Sequence, residues 1–130
     1  MPGTETTKIF IVAPADSDVE RFIRRLKGSG AEVVGGSRGY LDAERTPSAI
    51  VQEIQKHTEL DAVIIFGWIN GARKDNSEGN AVAELIKATM PSIETIGVVD
   101  PHDVGEFNVD DLVHISDTAR LLATLILVRS

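Results

Sequence analysis

The sequence predicts a doubly wound α/β domain: five parallel strands in the order 2-1-3-4-5, with helices on both faces of the sheet. Three observations lead there. The runs "KIFIVA", "DAVIIF" and "IGVV" are continuously apolar and rich in β-branched residues, as strands buried on both faces are. Between them lie segments whose apolar residues recur at helical spacing. Strand and helix alternate along the chain, which calls for a parallel sheet joined by right-handed crossovers.

Each element can be justified in order. The first strand is Lys8 to Ala13. In the following helix Ser17 and Glu20 form a capping box, and Val19, Phe22, Ile23 and Leu26 fall at i, i+3, i+4 and i+7. Gly28 and Gly30 end it. "AEVVG" is a short second strand, and the stretch "GSRGYLDAER" is too polar and glycine-rich for a core element. Thr46 caps a second helix with Pro47 at its first position and Ile50, Val51 and Ile54 facing inward.

"LDAVIIFG" is the third strand and the most hydrophobic. A third helix runs from about Asn80 to Thr89, with Val82, Leu85 and Ile86 inward, and Pro91 stops it. "IETIGVV" is the fourth strand and "DLVHI" a weak fifth. Ser116 caps a last helix through "TARLLATLILV". The connection "DPHDVGEFNVDD" has no helical period, so a fourth helix is expected to be missing. The chain reads as one domain over residues 1–130, residues 1–7 being a flexible tail, in a flavodoxin-like arrangement.

Composition narrows the function. The 130 residues carry a net charge of −7, which disfavours a nucleic-acid or anionic-membrane surface. The absence of cysteine excludes disulfides, thiolate metal sites and a cysteine nucleophile. "MPGTETTK" does not resemble a secretory leader, and no apolar stretch approaches the roughly 18 residues of a membrane span. A cytoplasmic location is expected, and neither a metal nor a cofactor.

In a doubly wound sheet, ligands and reactive groups gather at the carboxyl ends of the strands. The loops meeting there are "APADSD", "GGSRG", "GWINGARKD" and "DPHDVGEF". With this order of elements, and with "VDDLVHIS" near its end, the chain resembles the receiver domains of two-component response regulators. The resemblance implies an acid pair after strand 1, a phospho-accepting aspartate ending strand 3, a hydroxyl after strand 4 and a lysine after strand 5. Here the acid pair falls on "VAPA" (Val12 to Ala15), with Asp16 and Asp18 coming late as first-turn helix acids. Phe66 stands five residues beyond Asp61, at the phospho-acceptor position. The hydroxyl position falls near Val99 or Asp100, and the lysine position on His114. The resemblance is therefore to atypical, pseudo-receiver members, which lack the nucleophilic carboxylate and the acids that hold Mg²⁺. It implies a degenerate pocket formed by Asp16, Phe66, Trp68, Asp100 and His114.

Other signals weigh less. Phe66 and Trp68 flank Gly67, and are expected to take opposite faces or divide between core and rim. "GGSRG", Gly35 to Gly39, offers a flexible loop in which Arg38 would meet an anion; Ser17 and Arg73 are further anion candidates. "DPHDVG" matches a cobalamin-binding string, but at the wrong place in the order of strands. "NSEGNAVAEL" is faintly like TIR-like and deoxyribosyltransferase-like enzymes, in which a glutamate acts on a ribose; Glu84 would then be catalytic. The last helix is apolar almost all round, with Leu121, Leu122, Leu125, Ile126 and Val128, and a helix apolar on every side needs cover on every side. The expectation is a non-enzymatic signalling or adaptor domain that works through protein contacts and forms a homodimer, alone or within a longer multidomain protein. The alternative is a small-molecule or nucleotide-binding enzyme using the same edge of the sheet.

Overall fold

The strand Ala62–Phe66 is buried at every position, so it must run through the middle of a sheet covered on both faces. The computed structural model describes residues 7–13, 17–28, 32–38, 47–57, 59–67, 77–99, 106–117 and 120. In chain order these form β1 (Lys8–Ala13), α1 (Ser17–Gly28), β2 (Glu32–Arg38), α2 (Pro47–Ile54), β3 (Ala62–Phe66), α3 (Ser77–Thr89), β4 (Glu94–Val99) and β5 (Asp111–His114). The five strands are parallel and lie in the order β2-β1-β3-β4-β5, as expected. No described helix is long and apolar enough to cross a membrane.

Side chains alternate across the sheet and build two cores. Ile9, Ile11, Ala13, Ala62, Ile64, Phe66, Ile96, Val98 and Val113 face α1, which buries the expected stripe of Val19, Phe22, Ile23 and Leu26. Phe10, Val12, Val63 and Ile65 face α2 and α3, whose Ile50, Val51, Ile54, Val82, Ala83 and Ile86 cover them. Each of the valine, leucine, isoleucine and phenylalanine side chains among them contributes about 1.5–3 kcal/mol by leaving water, an upper figure since unfolded chains are partly compact. Leu85, expected inward, is half-buried at the margin of the second core, and Ala83 takes a central place.

Two aspartates fix the feet of the strands. Asp61, one residue before β3, donates its N–H to the Lys8 carbonyl at 2.9 Å, and its Oδ2 accepts the Lys8 N–H at 2.8 Å. Asp110, one residue before β5, repeats the arrangement on buried Thr95. Its N–H is shared between the Thr95 carbonyl and Oγ1, both at 3.0 Å, and its Oδ2 accepts from Thr95 N at 2.9 Å and Oγ1 at 3.1 Å.

Several sequence expectations are corrected. The second strand does not stop at Gly35 but continues through Arg38, with Gly35, Gly36, Ser37 and Arg38 paired to Phe10, Ile11, Val12 and Ala13. "GGSR" is thus part of a strand, where the sequence suggested a flexible loop. The register shifts between Ile9 and Phe10, leaving Val34 as the extra residue of a bulge. Gly35 is required there because a Cβ would lie 2.9 Å from His57 Nε2 and 3.0 Å from the Phe10 ring. Helix α3 begins at Ser77, three residues before the expected Asn80. Thr7, assigned to the tail, is buried, and its carbonyl accepts from Glu32 N at 2.9 Å. At the chain's end Asp117, not Ser116, acts as a cap, its Oδ1 accepting from Arg120 N at 3.1 Å.

Two tests follow from the foot of the sheet. Thr95→Val preserves volume but removes a buried hydroxyl with two partners, and should cost about 1–2 kcal/mol in urea unfolding; an unchanged midpoint would show that the hydroxyl is dispensable. The Glu94 carboxyl is held above its ordinary value of 4.5, first by burial, then by a hydrogen bond to Asp111 and the charges of Asp110 and Asp111, against the opposing pull of Lys87. The folded state therefore keeps this proton where the unfolded chain has lost it, so stability falls as pH rises from about 4.5 through the raised value. Glu94→Gln should flatten that decline, which unfolding midpoints measured across the mildly acidic range will show or refute.

Candidate functional site

At the carboxyl edge of the sheet the strands end at Ala13, Arg38, Phe66, Val99 and His114. Phe66 is the last residue of β3, pairs in register with Val98, and is fully buried. Its ring meets Phe22 of α1 edge-on, with centroids 5.5 Å apart and planes at 87°. That geometry is favourable for aromatic rings and makes Phe66 part of the α1-side core.

His114 ends β5 opposite Val99, two strands away from Phe66. Its neighbour Val113 belongs to the α1-side core, so alternation turns the exposed His114 side chain to the other face. The structure therefore places Phe66 and His114 on the same edge but on opposite faces, and the expected shared pocket does not join them. Asp16, Trp68, Arg73, Asp100, Leu121, Leu122, Leu125, Ile126 and Val128 lie outside the described residues, as do the side chains of Ser17 and Arg38.

What the sequence did not reveal is the structure of the connection before β5. Its described part, Glu106 to Asp110, contains no helix. It is a strap, turned at Asn108 by a bond from Val109 N to the Phe107 carbonyl at 3.0 Å, whose Phe107 and Val109 pack against the α2–α3 core. Two glycines make room for it. A Cβ on Gly97 of β4 would come 2.9 Å from both Phe107 Cε2 and Val109 Cγ2. A Cβ on Gly79 of α3 would collide with the Phe66 carbonyl oxygen and lie 2.9 Å from Gly67 Cα and Phe107 Cζ. The first turn of α3 thus rests on the end of β3, and backbone bonds from Gly79 N to Gly67 O and from Gly67 N to Val98 O, both 3.0 Å, hold it there.

Polar side chains clip the strap to α3. Asn80 Oδ1 accepts from Asn108 N at 2.7 Å, and Glu84 Oε2 accepts from Asn108 Nδ2 at 2.8 Å and Asn80 Nδ2 at 3.4 Å. Glu84, the candidate catalytic glutamate, is therefore an exposed residue of α3 engaged with two amides. The alternation Phe107-x-Val109 was the one sequence signal of this strap; its partners on α3 are about two dozen residues away and carry no motif.

At the opposite, amino edge there is a shallow hollow of about 260 Å³ lined by Lys8, Val34, Lys56, His57, Glu59 and Leu60. The bulged Val34 opens it, and His57 leans over Phe10 with ring centroids 5.5 Å apart. Lys8 and Glu59 are paired at 2.8 Å; the bond and mutual attraction raise the lysine above its ordinary value and lower the glutamate. Lys56 lies 3.5 Å from Glu53. With its lysines so matched, the hollow has no surplus positive charge for an anion. Among the described residues no group of three or more His, Asp or Glu is arranged to hold a metal ion.

Comparison with solved structures places this architecture among receiver domains. A protein assigned as a response regulator from Chloroflexus aurantiacus matches with a TM-score of 0.67 at 15% identity, over 95% of this chain and 99% of that one. The signal receiver domain of an HD domain-containing protein from Pseudomonas fluorescens gives 0.68 at 15%, over 95% and 94%. RcsB from Salmonella enterica serovar Typhimurium, bound to a promoter in the presence of a phosphomimetic, gives 0.65 at 17%; 95% of this chain matches 61% of that protein. No family model and no curated protein matches the sequence. At these identities the likeness establishes a shared fold: the chain is built as receiver domains are.

The contact at Gly79 is the tightest in this region. Gly79→Ala must move the start of α3 off the end of β3, and is expected to cost about 1–3 kcal/mol, as forced overpacking does. Loss of protection at the Gly67 and Asn108 amides in hydrogen exchange should accompany it. Wild-type stability would mean that α3 is not seated on β3.

Proposed function

We propose that this chain is a receiver-like signalling or adaptor domain that acts by docking to proteins and by self-association, without accepting a phosphoryl group. The observation that carries the reading is Phe66. The last position of β3, where receivers resembling this chain keep their phospho-accepting aspartate, holds a phenylalanine packed edge-on against Phe22. An aromatic ring has no lone pair to attack a phosphoryl donor. Asp61, the nearest preceding acid, is engaged with the Lys8 amide at the other end of the strand. Glu84 sits in the amide clip of the strap, which supports a structural role for it over a catalytic one.

Self-association draws on the sequence of the chain's end, where Leu121, Leu122, Leu125, Ile126 and Val128 leave no polar side to a helix. Incubation with Mg²⁺ and acetyl phosphate or beryllofluoride should leave the amide resonances of Phe66, Val99 and Ile115 unmoved and the mass unchanged; a phosphorylated species would overturn the reading. Light scattering should give a dimer for the wild-type chain and a monomer for Leu121→Glu or Leu125→Glu. A monomeric wild-type chain would remove self-association from the proposal.

A further inference from the structure

The geometry points to a sixth strand: an extended, basic segment of a protein partner that adds to the open edge of β5 beside Leu112. This rests on the docking reading above and specifies the chemistry of the partner.

The first observation is the edge itself. β5 closes the order β2-β1-β3-β4-β5, and its inner side pairs with β4 from Asp111 to His114. Among the described residues no strand pairs with its outer side. Ile115 N reaches inward to the Val99 carbonyl at 2.8 Å. By alternation along the strand, the amides of Leu112 and His114 point outward, to the side where another strand would bond.

The second observation is an apolar anchor. Leu112 is 45% exposed, the single exposed large hydrophobic residue among those described. In the described part of the connection before β5, Phe107 and Val109 pack over Gly97, on the neighbouring strand. Edge strands are ordinarily blunted by lysine, proline or a covering element. Among the described residues, β5 itself carries neither lysine nor proline, and no strand lies on its outer side.

The third observation selects the partner. From Glu106 to Asp117 the chain has four acids, Glu106, Asp110, Asp111 and Asp117, and neither lysine nor arginine. Glu94 adds a carboxyl beside Asp111, and Lys87, 3.9 Å from Asp110, is the nearby cation. Two copies of this chain joined at β5 would bring both acidic sets together. A segment alternating basic and apolar residues would instead place its charges among the acids and its apolar side chains against Leu112. Main-chain bonds then supply affinity and the side chains select, as in other strand additions.

The probe is a short synthetic peptide of alternating lysine and valine, titrated into the isotopically labelled full chain. It should protect the Leu112 and His114 amides from exchange, with affinity that falls as salt rises. Leu112→Lys, a change at an exposed position, should weaken binding about tenfold, an effect of roughly 1.4 kcal/mol. A peptide N-methylated on its bonding edge keeps every charge but cannot bond as a strand, and should not bind. Equal binding of the N-methylated peptide, or of a glutamate–valine peptide, would overturn the inference. So would protection of Leu112 and His114 that rises with protein concentration alone, which would identify a second copy as the occupant. Failure of the peptide leaves the inertness to acetyl phosphate and the light-scattering result untouched, so the two readings fail separately.

Discussion

The register of this sheet depends on two carboxylates. A strand such as β3, apolar at all five positions and buried on both faces, has no polar side that a slip would bury. Alternation, the usual guard on register, is silent there. The information comes from the foot of the strand, where Asp61 joins the Lys8 amide by both side chain and main chain. Asp110 does the same for β5 against Thr95. A shift of one residue would turn Phe66 from α1 toward α3 and expose the edge-on contact with Phe22 to disruption. The face that Phe66 presents at the carboxyl edge thus depends on polar contacts at the amino edge.

The second determinant is the strap from Glu106 to Asp110, the described part of the connection before β5, which contains no helix. Its residues cover the sheet with one aromatic and one branched side chain, and this works only because Gly97 and Gly79 surrender their own volume. The strap is narrower than a helix would be. It covers Gly97 of β4, while on the same face of β5 Leu112 and His114 are exposed.

The architecture was legible because its signals are periodic. Val19, Phe22, Ile23 and Leu26 announce α1, Ile50, Val51 and Ile54 announce α2, and the runs of β1, β3 and β4 announce buried strands. What escaped notice lacks a period or a partner nearby in sequence. Gly35 to Arg38 have little intrinsic preference for a strand, and only pairing with β1 makes them one. The first turn of α3, Ser77 to Gly79, has no apolar side chain to mark it, since Gly79 packs by being small. Ser116 and Asp117 are both good caps, and sequence alone could not choose between them. At the carboxyl edge, Phe66 stands out in the sequence because its type is unexpected at that strand end. That His114 faces the other way required knowing which residue of β5 is buried.

The same strap has a consequence for how the chain assembles. Contacts between the feet of β1 and β3 join residues 53 apart in sequence, whereas those between the feet of β4 and β5 join residues 15 apart. Closure entropy scales with the logarithm of loop length, so the shorter connection lowers the cost of bringing its ends together by about 1 kcal/mol. Parallel pairing is ordinarily slow because its contacts are distant in sequence. So short a connection gives this sheet one pair of neighbours that meet early, and makes the β4–β5 corner a natural place for the chain to begin organising itself.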